Sequence, residues 1–181
     1  MMPHAPGASL PNTPQNLRDV WKFSQYKSRM TTLDPTDARI LARLQQRCDE
    51  PLEDLGQHIG LSRNAVWRRV KALEDRGVLK GRVAVVDPDA VGLGLMVFIQ
   101  VRAAHHSAVW LDQFRRAVRA MPEILGVYRM TGDLDYLIRA RVADMADYDR
   151  LYQRLIARVE MGDVSASFVM EELKEGNALP L

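Results

Sequence analysis

The sequence of 181 residues has a single cysteine, Cys48, so no disulfide can form within the chain. It contains no apolar run near the roughly 18 residues that a membrane-spanning helix needs. Its first residues also lack the continuous apolar stretch of a secretory signal. These absences argue against a disulfide-stapled secreted domain and against an integral membrane protein. We therefore expect a cytoplasmic protein without a membrane partner.

Acidic and basic residues nearly balance, at 23 and 25, but the basic residues are unevenly distributed. Residues 62–82 contain seven Lys or Arg and two acids, whereas the rest of the chain has 18 basic and 21 acidic residues. A basic block on a nearly neutral protein is typical of a site for a polyanion. On charge alone, a solvated helix face explains the block equally well.

The first part of the chain differs from the rest in its proline content. Residues 1–32 contain four prolines within the first 14 positions, and proline breaks helices. We expect this leader to be disordered. Met30 directly precedes the first strong helical signal, which makes it an alternative start of the protein.

Three helical segments are predicted within residues 33–82, which we assign to one domain. The first begins at Asp34-Pro35, a capping carboxylate followed by a proline in the first turn. The second runs from about Pro51 to Gly60. The third runs from Ser62 to Asp75, and Gly77 stops it.

The remainder of the chain predicts a second domain of different type. Residues 83–92 read as a linker, with a short strand at Val83–Val86 and a glycine-containing hinge. Residues 93–175 then show the order strand, helix, strand, strand, helix, strand, which is the ferredoxin-like βαββαβ pattern. Residues 176–181 form a tail. The fold class is therefore α+β, with a winged or helix-turn-helix domain first and a ferredoxin-like domain second.

The predicted antiparallel sheet carries both of its helices on one face, so its other face needs a cover. Apolar side chains alternate along the strands, and we assign Phe98 and Phe168 to the uncovered face. Exposed apolar patches of this kind are typical of subunit interfaces. The pattern therefore predicts a homodimer.

The second and third helices, joined by a short turn at Gly60, are typical of a helix-turn-helix, whose second helix meets base edges in the major groove. At about 100° per residue, one face of the third helix is polar, and the opposite face, with Val66, Val70 and Leu73, is apolar. The polar side chains suit guanine, adenine and phosphate, which predicts an interface with double-stranded promoter DNA. The predicted DNA-binding residues are Ser62, Arg63, Asn64, Trp67, Arg68, Arg69 and Lys71.

Two of these residues have alternative interpretations. Arg69 lies nearer the flank of the apolar face, so we assign it to contacts with the DNA backbone or to structural contacts. Trp67 has two interpretations of equal weight. It packs either against a sugar or a thymine methyl group, or at the edge of the domain as a partly buried aromatic.

Several separate motifs, in order along the chain, resemble the Lrp/AsnC family of feast/famine transcription regulators. Residues 61–81, LSRNAVWRRVKALEDRGVLKG, are similar to the recognition helix of that family and the turn after it. Residues 33–41 resemble its first helix. Residues 131–137, TGDLDYL, resemble its effector-loop motif, and residues 168–172, FVMEE, its last strand.

The resemblance implies a C-terminal domain of the RAM type that binds a small amino acid, and dimers that assemble further into tetramers or octamers. It assigns effector binding to Gly132, Asp133, Asp135 and Tyr136, with Met145 helping to line the pocket. A carboxylate suits the α-ammonium group, and exposed turn amides suit the α-carboxylate. The alternatives are a Gly-Asp turn that only links two strands, and for Met145 packing at the start of a helix.

The identity of the effector and of the operator rests on finer features. Residues 105–107, Trp110, residues 130–132 and Cys48 are more similar to a branch that includes cysteine-responsive regulators than to the leucine or asparagine types. Cysteine is therefore the amino acid that we expect. At residues 62–63 the chain has Ser-Arg where many members have Ser-Pro, which bears on the operator sequence and not on DNA binding.

Metal binding and enzymatic catalysis are two further functions to consider. The paired histidines at 105 and 106 would point apart on a strand and have no Cys or His partner at ligand spacing, so we predict no metal site and no cofactor. Sirohaem decarboxylases share the two-domain architecture, which makes an enzyme of that kind the alternative function. The intact basic face, and the lack of a convincing acid/base cluster, favour a regulator without catalytic residues.

Overall fold

The computed structural model describes residues 33–176 and 178–181. The chain divides into two units, of which the second comprises Ala84–Glu175. The first unit contains the described residues up to Val83 together with the chain end. The predicted leader, residues 1–32, lies outside the described residues. Within the described ranges, no helix is both long enough and apolar enough to cross a membrane.

The first unit contains three helices, α1 (Pro35–Gln46), α2 (Leu52–Ile59) and α3 (Arg63–Asp75). The Asp34 side chain caps α1 by accepting hydrogen bonds from two backbone amides of the first turn. One core joins the three helices, because each turns its apolar stripe inward. The buried residues of this core are Ile40, Leu41, Leu44, Leu55, Ile59, Val66, Val70 and Leu73.

A glycine with positive φ follows each of the helices α2 and α3. Gly60 follows α2 with a φ of 80°, and Gly77 follows α3 with a φ of 68°, values that favour glycine. After α3, Val78 N donates to Leu73 O at 2.9 Å and Gly77 N donates to Glu74 O at 2.8 Å. These bonds form a Schellman motif, which ends the helix where the sequence predicts.

The second unit is a four-stranded sheet with two helices. Its elements are β1 (Leu95–Ala103), α4 (Ala108–Arg119), β2 (Ile124–Arg129), β3 (Tyr136–Val142), α5 (Met145–Ile156) and β4 (Met161–Phe168). The strand order is β2-β3-β1-β4, and every neighbouring pair is antiparallel. The predicted α+β fold class, with a helix-turn-helix followed by a ferredoxin-like domain, is confirmed.

The core of the second unit lies between the sheet and its two helices. Val97, Ile99 and Val101 of β1 are fully buried there. Three aromatic rings pack together beside them: the ring centroid of Tyr136 lies 5.7 Å from that of Trp110 and 4.7 Å from that of Phe114. The helix that carries Trp110 and Phe114 is thereby held against the start of β3.

The predicted strand at Val83–Val86 is wrong for the described chain, which has no regular element between α3 and β1. Its valines favour a strand locally, but an extended segment becomes a strand only when another backbone pairs with it. No described strand pairs with this segment. Val83 and Val85 are accordingly 80% and 91% exposed.

The assignment of Phe168 to the open face of the sheet is also wrong. Phe168 pairs with Val97, so both side chains lie on the face that carries the helices. Its ring contacts that of Tyr148 in α5 edge-on, with centroids 5.0 Å apart. Phe98 does lie on the opposite face, where its neighbour on β4 is Ser167. A register offset of one residue moves a side chain to the other face, and alternation within one strand does not reveal it.

We predict that Gly56→Ala destabilises the chain although alanine normally favours a helix over glycine by about 1 kcal/mol. Gly56 lies inside α2, and a Cβ atom there would be only 2.5 Å from the Leu61 carbonyl oxygen. The expected loss is about 1–3 kcal/mol of unfolding free energy, as for other overpacked positions. Denaturant unfolding measures it.

The matched control is Gln57→Ala, an exposed position in the same helix. It should change the unfolding free energy by less than about 0.5 kcal/mol. A Gly56→Ala protein as stable as the wild type would show that the turn between α2 and α3 can relax around the added methyl group.

Candidate nucleic-acid interface and effector loop

The outward face of α3 is polar and accessible. Ser62 caps the helix, because its Oγ accepts a hydrogen bond from Ala65 N at 3.3 Å. Arg63, Asn64 and Arg68 are exposed along the first turns. Within the residues that the structure describes, neither arginine has an ion-pair partner. Their charge is therefore available to an anion outside the chain.

Trp67 lies on the same face, with 56% of its surface exposed. A shallow hollow beside it is lined by Leu52, Arg63 and Asn64. The ring thus has the accessibility that contact with a sugar or a thymine methyl group requires. Leu52 of α2 lines the same hollow as Trp67.

Lys71 belongs to the same face but is partly neutralised. Its Nζ lies 2.9 Å from the Asp75 carboxylate one turn later. The hydrogen bond that the Lys71 ammonium donates to Asp75 raises the pKa of the ammonium, so the charge stays on the lysine. Because the Asp75 carboxylate partly neutralises Lys71, Arg63 and Arg68 contribute most of the uncompensated positive charge on this face of α3.

Arg69 makes structural contacts, one of the two roles predicted for it. Its guanidinium lies 2.7 Å from the carboxylate of Asp37 and 3.3 Å from that of Asp34, both at the start of α1. Arg76 approaches Asp37 at 3.9 Å. Asp37 is buried, so the pair ties the recognition helix to the first helix.

Asp37 was not among the predicted site residues, although the sequence contains a signal for its role. Asp37 shares one face of α1 with Ile40, Leu41 and Leu44, at the spacing of an inward stripe. A carboxylate on an apolar stripe needs a partner, because burying an unpaired charge is costly. That partner, Arg69, is 32 residues away in sequence, and periodicity alone does not identify it.

A second ion pair joins α1 to the loop before α2. The Arg43 guanidinium donates two hydrogen bonds to the Glu50 carboxylate, at 2.7 and 2.6 Å. His58 Nδ1 lies 3.7 Å from the same carboxylate. The hydrogen bond from Arg43 is the main reason that the pKa of Glu50 lies below its ordinary value. This arrangement fixes the position of α2 against α1.

The predicted effector loop is the turn between β2 and β3. Gly132 has a φ of 98°, in the region that favours glycine. Gly132 and Asp133 are exposed. Asp135 is tied to the neighbouring strand: its Oδ2 accepts a hydrogen bond from Ala103 N at 2.9 Å, and its own N donates to Val101 O at 3.1 Å. The base of the turn is therefore anchored to β1, while Gly132 and Asp133 at its tip are exposed.

The other two predicted effector residues, Tyr136 and Met145, are not part of the exposed tip of the turn. Tyr136 is only 9% exposed and belongs to the aromatic cluster with Trp110 and Phe114. Met145 is exposed at the start of α5, beyond the opposite end of β3 from the turn. A seven-residue strand spans roughly 20 Å. Within one protomer, the structure brings Gly132, Asp133 and Asp135 together but not Met145.

Comparison with known families decides between the possible identities. A sequence model of the AsnC-type helix-turn-helix domain matches residues 33–74, and a model of the Lrp/AsnC ligand binding domain matches residues 96–179. The chain belongs to the Lrp/AsnC family. This Lrp/AsnC chain therefore carries a DNA-binding helix-turn-helix in its first unit and the ligand-binding fold of the family in its second.

Individual proteins agree with this assignment. The Lrp/AsnC chain is 48% identical over 149 residues to the glutamate uptake regulatory protein of Zymomonas mobilis, covering 82% of this chain and 91% of the relative. It is 45% identical to the DNA-binding transcriptional activator DecR of Escherichia coli, covering 82% and 99%. A solved transcriptional regulator from Neisseria meningitidis in complex with L-Met matches with a TM-score of 0.78 and 34% identity, over 82% and 97% of the two chains.

These relatives are transcription regulators, in agreement with the regulatory reading of the sequence. The assignment to a cysteine-responsive branch is not confirmed by them and stays a prediction. The same holds for the roles of individual residues in the DNA interface and in the effector loop.

We predict that Glu50→Gln destabilises the Lrp/AsnC chain near neutral pH and much less in acid. The pKa of Glu50 is lowered by folding, so its ion pair stabilises the folded state above the unfolded-state pKa. That stabilisation is lost as the pH falls through the folded-state pKa. Thermal midpoints of wild type and variant, measured between neutral and acidic pH, should therefore converge as the pH falls.

Glu53→Gln, an exposed change in the neighbouring helix, is the control and should shift the midpoint little at any pH. A constant gap between wild type and Glu50→Gln across the whole pH range would contradict a role for the Arg43–Glu50 charge pair.

Proposed function

We propose that this chain is a sequence-specific regulator of transcription that binds promoter DNA through α3 and whose DNA binding or assembly is modulated by a small amino acid. The observation that carries the DNA half is the exposed face of α3, where Arg63 and Arg68 lack ion-pair partners among the described residues. Membership of the Lrp/AsnC family supports the same role.

In the proposed complex, the N-terminal half of α3 enters the major groove. Arg63 and Arg68 donate to guanine edges or phosphates, and Asn64 has the donor and acceptor that suit adenine. Trp67 contacts a sugar or a thymine methyl group. The Ser62 cap keeps the first turn of α3 helical, so that these side chains reach the groove from a rigid support.

Arg69 has a different part in the proposal. Its Nη1 atom lies within ion-pair distance of both Asp34 and Asp37 inside the protein. It therefore sets the rotation of α3 about its own axis rather than reading bases. A rotation of one residue, about 100°, would turn the polar face away from the groove.

For the effector half, we propose that an amino acid binds at the tip of the turn between β2 and β3. Asp133, exposed there, accepts the α-ammonium group, and the turn amides around Gly132 donate to the α-carboxylate. The L-Met complex of the structural relative supports an amino acid as ligand class. Cysteine is the first candidate from the sequence features above.

The effector acts on assembly in this proposal. The open face of the sheet, which includes Phe98, is the surface through which two chains dimerise, and dimers assemble into tetramers or octamers. A ligand shifts such an equilibrium only by the difference in its affinity for the two states. Binding at the anchored turn, rather than in the core, fits a ligand that bridges or separates neighbouring chains.

The first test is a DNA shift with the upstream region of the chain's own gene. We predict that changing Arg63 and Arg68 together to Ala abolishes the shift at moderate salt. Each lost phosphate contact should also reduce the slope of log affinity against log salt by about 0.9. Circular dichroism should be unchanged, because both side chains are exposed.

The matched control removes two exposed arginines from the second unit, Arg150→Ala with Arg158→Ala. It lowers the net charge by the same amount and should leave the shift largely intact. If the Arg63/Arg68 pair can be removed without loss of binding, α3 is not the recognition helix.

The second test is a thermal-shift screen of the twenty amino acids. A ligand that binds only the folded chain at a hundred times its Kd stabilises by about 2.7 kcal/mol, which raises the midpoint measurably. We predict a rise with at least one amino acid, and loss of that rise in Asp133→Asn. Asp149→Asn, an exposed change on α5, should keep the response. No response to any amino acid would count against the effector half.

A further inference from the structure

A cleft in the second unit is lined by none of the predicted turn residues Gly132, Asp133 and Asp135. It lies between α4 and the edge strand β2 and has a volume of about 530 Å³, within the range of small-ligand sites. We call it the α4–β2 cleft. Its floor is apolar and consists of Leu111, Phe114, Val118, Met121, Ile124 and Val127.

The charged side chains around the α4–β2 cleft are all of one sign. Arg115, Arg119 and Arg129 line it, and no Asp or Glu does so among the residues that the structure describes. Arg119 and Arg129 have no ion-pair partner within residues 33–176 and 178–181. Arg115 has one, the exposed Asp112, at 3.4 Å. Two of the three positive charges at this rim, those of Arg119 and Arg129, are therefore uncompensated among the described residues.

The three guanidinium groups approach the cleft from two elements. Arg115 and Arg119 are one turn apart on α4, where like charges repel. Arg129 pairs with Tyr136 across β2 and β3, so its side chain lies on the face of the sheet that carries the helices. All three are exposed and can reorient toward a ligand without disturbing the core. An anion placed between them would relieve the repulsion.

We propose that the α4–β2 cleft binds an apolar monocarboxylate. The hydrocarbon part lies on the apolar floor, and the carboxylate is held by Arg119 and Arg129, since a guanidinium can donate two parallel hydrogen bonds to a carboxylate. No carboxylate lines the cleft to accept an α-ammonium group. The ligand class therefore differs from the amino acid proposed for the turn, and the site goes beyond that proposed function.

The cleft and the turn share one residue. Tyr136 forms part of the wall of the cleft and directly follows the turn in the chain. Its ring is fixed by Trp110 and Phe114 of α4. A ligand in the cleft thus contacts the same buried ring that anchors the end of the turn, which gives the two sites a direct physical connection.

The test is a calorimetric titration of the full chain with 3-phenylpropanoate. Two matched compounds accompany it: 3-phenylpropan-1-ol lacks the charge, and 3-phenylpropan-1-amine reverses it, and neither has the α-carboxylate proposed to bind at the turn. We expect saturable binding of the acid, with one site per chain. Both matched compounds should bind roughly tenfold or more weakly, the difference that one good polar contact supplies. No binding of the acid at millimolar concentration, or equal binding of the alcohol, would overturn the proposal.

Variants then locate the site. Arg119→Gln with Arg129→Gln should weaken binding of 3-phenylpropanoate by roughly tenfold or more. Arg116→Gln with Arg158→Gln removes the same charge from exposed positions outside the cleft and should leave the affinity unchanged. Equal losses in the two double variants would show a general charge effect and refute the site. The DNA shift and the amino-acid response, measured on the same proteins, report separately on the proposed function.

Discussion

Asp37 is a buried carboxylate beneath the recognition helix, and the contact with Arg69 neutralises it. A charge in this position is tolerated only while its partner stays in reach. The pair therefore limits how α3 can rotate or slide on α1. The outward direction of Arg63 and Arg68, and with it the proposed interface with DNA, depends on that limit. A second constraint lies at Gly56. Because Gly56 has no side chain, the Leu61 carbonyl in the turn before α3 can pack closely against α2.

In the second unit the corresponding constraint is the central position of β1. Its pairing with both β3 and β4 decides which side chains meet the helices. Val97, Ile99 and Val101 face them and are fully buried. The register then places Phe168 on the same side and leaves Phe98 on the other. The Asp135 side chain, which accepts a hydrogen bond from Ala103 N, extends this ordering beyond the end of β1 into the turn.

The two candidate ligand sites of the second unit differ in their chemistry. The turn offers backbone donors and an exposed carboxylate, which suit a zwitterion. The α4–β2 cleft offers an apolar floor and arginines without an acid, which suit an apolar anion. Tyr136 lines the α4–β2 cleft and also directly follows the turn in the chain. If both proposed sites bind their ligands, one rigid aromatic cluster connects them.

Local sequence was sufficient for the helices, the order of elements and the polar face of α3. Caps such as Asp34 and Ser62, the stop at Gly77 and the 3.6-residue periodicity act between near neighbours, so they can be read without a fold. The family motifs added the role that we propose for the turn. Local patterns did not reveal that Val83–Val86 lacks a strand partner or that Phe168 faces the helices.

Each of those features depends on residues distant in the chain. Strand pairing and register join backbones far apart in sequence, and a slip of one residue reverses every side chain. The Asp37–Arg69 pair spans 32 residues, and the arginine rim of the cleft combines a helix with a strand. The sequence by itself determined which polar side chains lie on the outward face of α3. Only the tertiary structure decided what holds α3 in place and which charges gather around the cleft, because both depend on which distant segments pack together.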